Sequence, residues 1–112
     1  MKEVVYTDRA KQDPKDDAAL QTVTQILEKV SARSSETVTA EWDQTTDPHG
    51  GKAFVLRLSD WSGAASAVFT PKDLQPTNLL SARLYNLWGD LLENRSHRLR
   101  EERLALTAAG EE

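Results

Sequence analysis

His49 stands two residues after Asp47 and six after Asp43, with Gly50-Gly51 directly behind it. An imidazole beside carboxylates is the raw material of a metal site or of acid-base chemistry. A metal needs three or four ligands that converge, and this stretch supplies one His and two Asp. Asp60, at the end of the next predicted strand, completes a candidate loop site of Asp43, Asp47, His49 and Asp60. The competing reading is a polar loop whose turn is shaped by Pro48 and the two glycines. Glu41, Asp43 and Asp60 lie near strand ends and are the candidates for a carboxylate pair in acid-base work. The second histidine, His97, has Glu93 four residues earlier, so a helical side-chain pair accounts for it. The chain holds two histidines and no cysteine. A Ser-His-Asp set is not assembled from these residues, and thiol nucleophiles and thiolate metal ligands are excluded. Gly50-Gly51 runs into Lys52 and a strand, not into the helix whose amides would hold a phosphate. No catalytic, metal or cofactor residue is assigned, and no cofactor is expected.

Recognition chemistry is better represented. Trp42 alternates with Val38 and Ala40, and Trp88 stands among leucines, which marks both as core. Trp61 sits in the turn Asp60-Trp61-Ser62-Gly63. It either folds back over the core edge or anchors a partner, because aromatic residues are favoured at interface hot spots. The other concentrated feature is Arg95, Arg98, Arg100 and Arg103, interleaved with Glu93, Glu101 and Glu102. Charges laced in this way describe a solvated helix. Leu92, Leu99 and Leu106 recur every seven residues through the same stretch and would give it a narrow apolar seam against another chain. The candidate interaction residues are Trp61, Leu92, Arg95, Leu99, Arg103 and Leu106.

The elements that position these residues follow from periodicity and punctuation. Residues 1–13 read as a flexible arm or a short strand around Val4, Val5 and Tyr6. Asp13 and Pro14 suit an N-cap and first helical position, with Asp16 and Asp17 in the first turn. Leu20, Val23, Ile26 or Leu27, and Val30 then predict a helix over about 14–32. From Val38 to Trp42 the period becomes two, which predicts a strand with one apolar face. Residues 43–51 read as a loop, 52–59 as a second strand, and 64–69 as a third that is poor in bulky side chains. Thr70-Pro71-Lys72-Asp73 has the signature of a capping box. Leu80, Leu84, Leu87, Trp88 and Leu91 predict a core helix. Its continuation is polar apart from the seven-residue leucines, and Ala108, Ala109 and Gly110 mark its fraying. The expected fold is α+β: a two-layer sandwich in which a three-stranded antiparallel meander is covered on one face by two helices, in α-β-β-β-α order. Residues 14–92 form the compact domain, and 93–112 form a distal helical extension with a frayed end. A glycine inside a helix costs about 1 kcal/mol relative to alanine, so Gly89 points to a close approach or to drift.

This order of elements resembles that of the double-stranded RNA-binding domain family over residues 14–92. The family presents a lysine cluster at the start of its second helix to RNA phosphates. The matching segment here is Pro76-Thr77-Asn78-Leu79-Leu80-Ser81-Ala82-Arg83, with one arginine and no lysine. The family's Gly-Pro-x-His loop pattern is represented by Asp47-Pro48-His49-Gly50-Gly51, in different spacing. The departures fall on the binding residues, and element order alone does not transfer function.

A chain of 112 residues fits one domain. Its formal net charge of −4 disfavours holding a phosphate backbone by bulk electrostatics. The N-terminal residues lack the apolar run of a signal peptide, and Gly63 to Phe69 is too short to span a bilayer. Together with the absence of cysteine, this predicts a cytoplasmic protein without membrane contact. The leading expectation is a non-enzymatic interaction module that self-associates or docks to another protein through the distal helix. Two alternatives stand beside it: nucleic-acid contact through the arginine face, and a small enzyme or ligand-binding domain with a site near residues 43–51.

Overall fold

A computed structural model of the chain describes residues 1–110, with side chains at all of them except 33, 34 and 106–110. The elements are β1 (Glu3–Tyr6), α1 (Pro14–Ser31), β2 (Thr39–Thr46), β3 (Lys52–Asp60), β4 (Gly63–Phe69) and α2 (Asn78–Gly110), with 3-10 turns at Ala32–Ser35 and Pro71–Leu74. The sheet has four strands in the order β1-β2-β3-β4 and is mixed. This overturns the expected three-stranded antiparallel meander. The meander of β2, β3 and β4 is present, but β1 joins it in parallel, with Glu3 opposite Thr39 and Tyr6 opposite Trp42. The backbone pairing is extended at both ends by Lys2 N–H donating to Val38 O at 2.8 Å and Thr7 N–H donating to Trp42 O at 3.0 Å. A hairpin partner announces itself through its turn. A parallel partner is separated by a crossover, here the whole of α1, so nothing local in Glu3-Val4-Val5-Tyr6 names it.

The second correction concerns β2, which continues through Asp43, Gln44, Thr45 and Thr46 where a loop was expected. These residues are polar and carry no alternation. They are extended because they face Val55, Phe54, Ala53 and Lys52 across the antiparallel ladder. Partner pairing thus overrides weak local preference.

Alternation sorts the sheet into two faces. Val4 and Tyr6, Ala40 and Trp42, Phe54, Leu56 and Leu58, and Ala65, Ala67 and Phe69 point to the helical layer. Leu20, Val23 and Leu27 of α1 meet them with Leu80, Leu84, Leu87, Trp88 and Leu91 of α2. A buried polar contact ties α1 to β1 and β2. The Trp42 indole N–H donates to Thr24 Oγ1 at 2.9 Å, and the Tyr6 hydroxyl reaches the same oxygen at 3.3 Å. Thr24 in turn donates to Leu20 O at 2.8 Å, so the buried indole and hydroxyl are both satisfied.

Local caps hold the helices in place. Asp13 accepts from the Lys15 amide, with Pro14 at the first helical position. Thr70 and Asp73 form a reciprocal capping box around the 3-10 turn. Thr77 Oγ1 accepts from the Leu80 amide at 3.3 Å as α2 begins. The small residues of β4 let α2 lie close, and α2 reaches over that sheet edge. Arg83 Nη2 donates to Val68 O at 2.6 Å, and Asn94 Nδ2 donates to Ala64 O at 3.1 Å. An uncharged edge strand such as Gly63–Phe69 invites pairing with another chain, and these two side chains occupy carbonyls near both of its ends. Among the described residues no helix is long and apolar enough to cross a membrane.

Candidate functional site

The four loop candidates do not come together. Asp47 lies in the β2–β3 turn, whereas Asp60 ends β3. The nine residues of β3 separate them, a span on the order of 27 Å at the rise of a strand. Each carboxylate is engaged locally. Asp47 Oδ1 accepts from the amides of His49 at 2.7 Å and Gly51 at 2.9 Å, and its backbone N–H donates to Gly51 O at 2.8 Å. Gly50 closes this turn at φ +84°, and a Cβ at Gly51 would lie 2.8 Å from the Asp47 carboxylate. The loop glycines therefore serve the turn itself. His49 is exposed at its tip.

Asp43 belongs to the other face of the sheet. It accepts from the Thr7 hydroxyl at 2.7 Å, the Gln44 amide at 2.8 Å and Arg9 at 3.3 Å. The Thr7 bond is the main cause of a carboxyl held below its ordinary range; burial opposes it, and Gln44 and Arg9 assist. Asp43 lines a shallow open depression of about 440 Å³ with Arg9, Glu41, Val55 and Arg57. Asp47, His49 and Asp60 have no part in it. Among the described residues no group of three His, Asp or Glu is placed to hold a metal ion.

Asp60 is instead the anchor of α2. Its side chain is fully buried and accepts from Arg95 Nε at 2.6 Å, from the Ser62 hydroxyl at 2.6 Å and from the Ser62 amide at 2.8 Å. Burial pushes this carboxyl up, but the Ser62 and Arg95 hydrogen bonds and the Arg95 charge outweigh it and hold it below the ordinary value. The Arg95 guanidinium also lies over the Trp88 ring, 5.3 Å from its centroid. Two candidates assigned to different sites, Asp60 and Arg95, thus form one bolt between the β3–β4 turn and the helix. Trp61 sits at that turn with half its surface exposed.

Beyond Arg95, α2 continues to Gly110 with every described side chain exposed. Leu92 is 38 % exposed, Leu99 55 % and Leu104 65 %. Arg103 is exposed beside Ser96, Leu99 and Arg100. The side chain of Leu106 lies outside the described residues. Along the overhang His97 contacts Glu101 at 3.0 Å and Arg98 pairs with Glu102 at 4.0 Å. His97 thus faces forward to Glu101, not back to Glu93.

Sequence reasoning missed the continuation of this surface onto the anchored part of the helix. Tyr85 is exposed there, as are Ala82 and Gly89. The signal was present in the spacing, since Tyr85 stands seven residues before Leu92. The one arginine in the segment compared with the RNA-binding family, Arg83, is turned inward. It lies 4.3 Å over the Phe69 ring and pairs with Asp73 at 3.3 Å. A scan against protein-family models and searches of curated proteins and of solved structures return no match to this chain.

Proposed function

We propose that this chain is a small non-enzymatic interaction module of the cytoplasm that self-associates or docks to a partner protein through the distal half of α2. The observation that carries the reading is the overhang itself. About nine turns of helix are built, and the last bolt to the domain is at Arg95. Fifteen residues then extend as helix beyond it with Leu99 and Leu104 exposed. An isolated helix of that length is marginal in water. Burial of Leu99, together with Leu92, against another chain supplies the missing stabilisation.

The alternatives draw less support. Arg95 is committed to Asp60, which thins the arginine face for nucleic acid. The carboxylates near residues 43–51 are used in local hydrogen bonds.

The test is Leu99→Asp in the full chain, with a chain ending at Ser96 as a second variant. The shorter chain keeps the hydrophobic core and the Asp60–Arg95 pair. Both variants are expected to retain the fold by circular dichroism and to lose association in sedimentation or pull-down. Unchanged association in both would refute the reading.

A further inference from the structure

The outward face of α2 has a seven-residue repeat that runs from the anchored half into the overhang. Tyr85, Leu92 and Leu99 occupy one position of the repeat, and Ala82, Gly89 and Ser96 occupy the position three residues earlier. All six are exposed. Large residues at one seam position and small ones at the other suit two helices that approach closely. The buried residues Leu80, Leu84, Leu87 and Leu91 lie well round the helix from this seam, because successive residues turn by about 100°, and buried Trp88 borders it. The domain body therefore leaves the seam open.

Gly89 carries an independent sign. A Cβ built there meets nothing within 4 Å. The chain's own packing does not require glycine at this point, although glycine weakens the helix.

Charge selects the occupant and its direction. Arg100 has Ser96, His97, Arg103 and Leu104 at the positions three and four residues away, so no acid stands at the pairing positions of its own helix. Glu93 lies seven residues before it, on the same flank of the seam. With a second copy running antiparallel and Ser96 facing Leu99 of the other copy, Glu93 of each falls beside Arg100 of the other. In a parallel pair, Arg100 would instead fall beside Arg95 of the other copy, which is already engaged by its own Asp60 and offers Arg100 no carboxylate. Length agrees with the antiparallel arrangement. The two-fold axis passes level with His97 and Arg98, and the overhang of each copy, 96–110, then lies along residues 85–99 of the other.

We propose that two copies of this chain pair antiparallel through this seam, each overhang seated on the outward face of the other's anchored helix. The proposal rests on the distal-helix reading above and specifies its partner as a second copy.

The chain has no cysteine, so Asn86→Cys in the full chain takes a single spin label on the flank of the helix. The label-to-label separation expected for the antiparallel pair is about 35 Å, and under about 20 Å for a parallel one. Glu93→Arg alone and Arg100→Glu alone are each expected to raise the dimer Kd on the order of tenfold, and the combined variant to restore it. A chain that stays monomeric at millimolar concentration overturns the proposal while leaving docking to a different protein standing. A short label separation, or a combined variant as weak as the single ones, overturns the antiparallel arrangement alone. Association that survives Leu99→Asp refutes the distal-helix reading as well.

Discussion

The two halves of α2 are one continuous helix under different physical control. From Asn78 to Arg95 the helix is held by tertiary contacts: five buried apolar side chains, Arg83 and Asn94 on the β4 edge, and Arg95 on Asp60. From Ser96 onward, the described side chains touch mainly solvent and their own helix. Amphipathic burial explains the first half and leaves the second unexplained. On the proposed reading, a helix that continues past its last anchor with leucines on its surface is completed by another chain.

The largest expected effect sets the halves directly against each other. Leu91→Ala empties a fully buried site, and should cost about 2–5 kcal/mol in urea unfolding. Leu99→Ala changes an exposed residue, and should stay within about 0.5 kcal/mol at concentrations too low for association. Comparable losses from the two substitutions would mean that the overhang belongs to the cooperative core.

Asp60 and Arg95 mark the boundary, and their separation should blur it. Asp60→Ala leaves Arg95 without its carboxylate and Ser62 without its acceptor, a loss of about 2–4 kcal/mol. Acid should do the same reversibly. Asp60, Asp43 and Asp73 all have carboxyls held below the ordinary value of 3.8. A group depressed in the folded state contributes stability that is fully present above its unfolded pKa and is lost as pH falls through the folded one. The urea midpoint should therefore be level from about pH 7 to 5 and drop below about pH 4. Asp60→Asn should flatten that acid limb, and an unchanged limb would remove Asp60 from the account.

The sequence made the helical layer easy to read and the rest harder, for identifiable reasons. Leu80, Leu84, Leu87, Trp88 and Leu91 announce a core helix because burial imposes a period on one chain segment. Thr70-Pro71-Lys72-Asp73 closes its capping box within four residues, so its signal is local. β1 is different: its partner β2 lies beyond all of α1, and four residues cannot encode that distance. The segment Asp43–Thr46 took its extended form from β3. Asp60 and Arg95 are 35 residues apart and looked like members of two separate surfaces. Their pairing depends on where the β3–β4 turn meets α2, a tertiary fact with no period of its own. Tyr85 and Gly89 were legible in spacing, but they were hidden by the stronger apolar stripe on the opposite side of the same helix.

Gly89 gives a small expected effect and the sharpest test of which surface is vacant. Alanine in its place adds one methyl to a helix interior, where the gain is about 0.5–1 kcal/mol. The methyl has room, since nothing lies within 4 Å of its position. At concentrations below association, Gly89→Ala should therefore raise the urea midpoint. At concentrations where copies pair, the same methyl enters the seam between helices, and the gain should shrink or vanish. A gain that is independent of concentration would detach Gly89 from any interface. A loss at low concentration would mean that the outward face of the anchored half is covered within a single chain, and the contrast between the two halves of α2 would then fail at its simplest point.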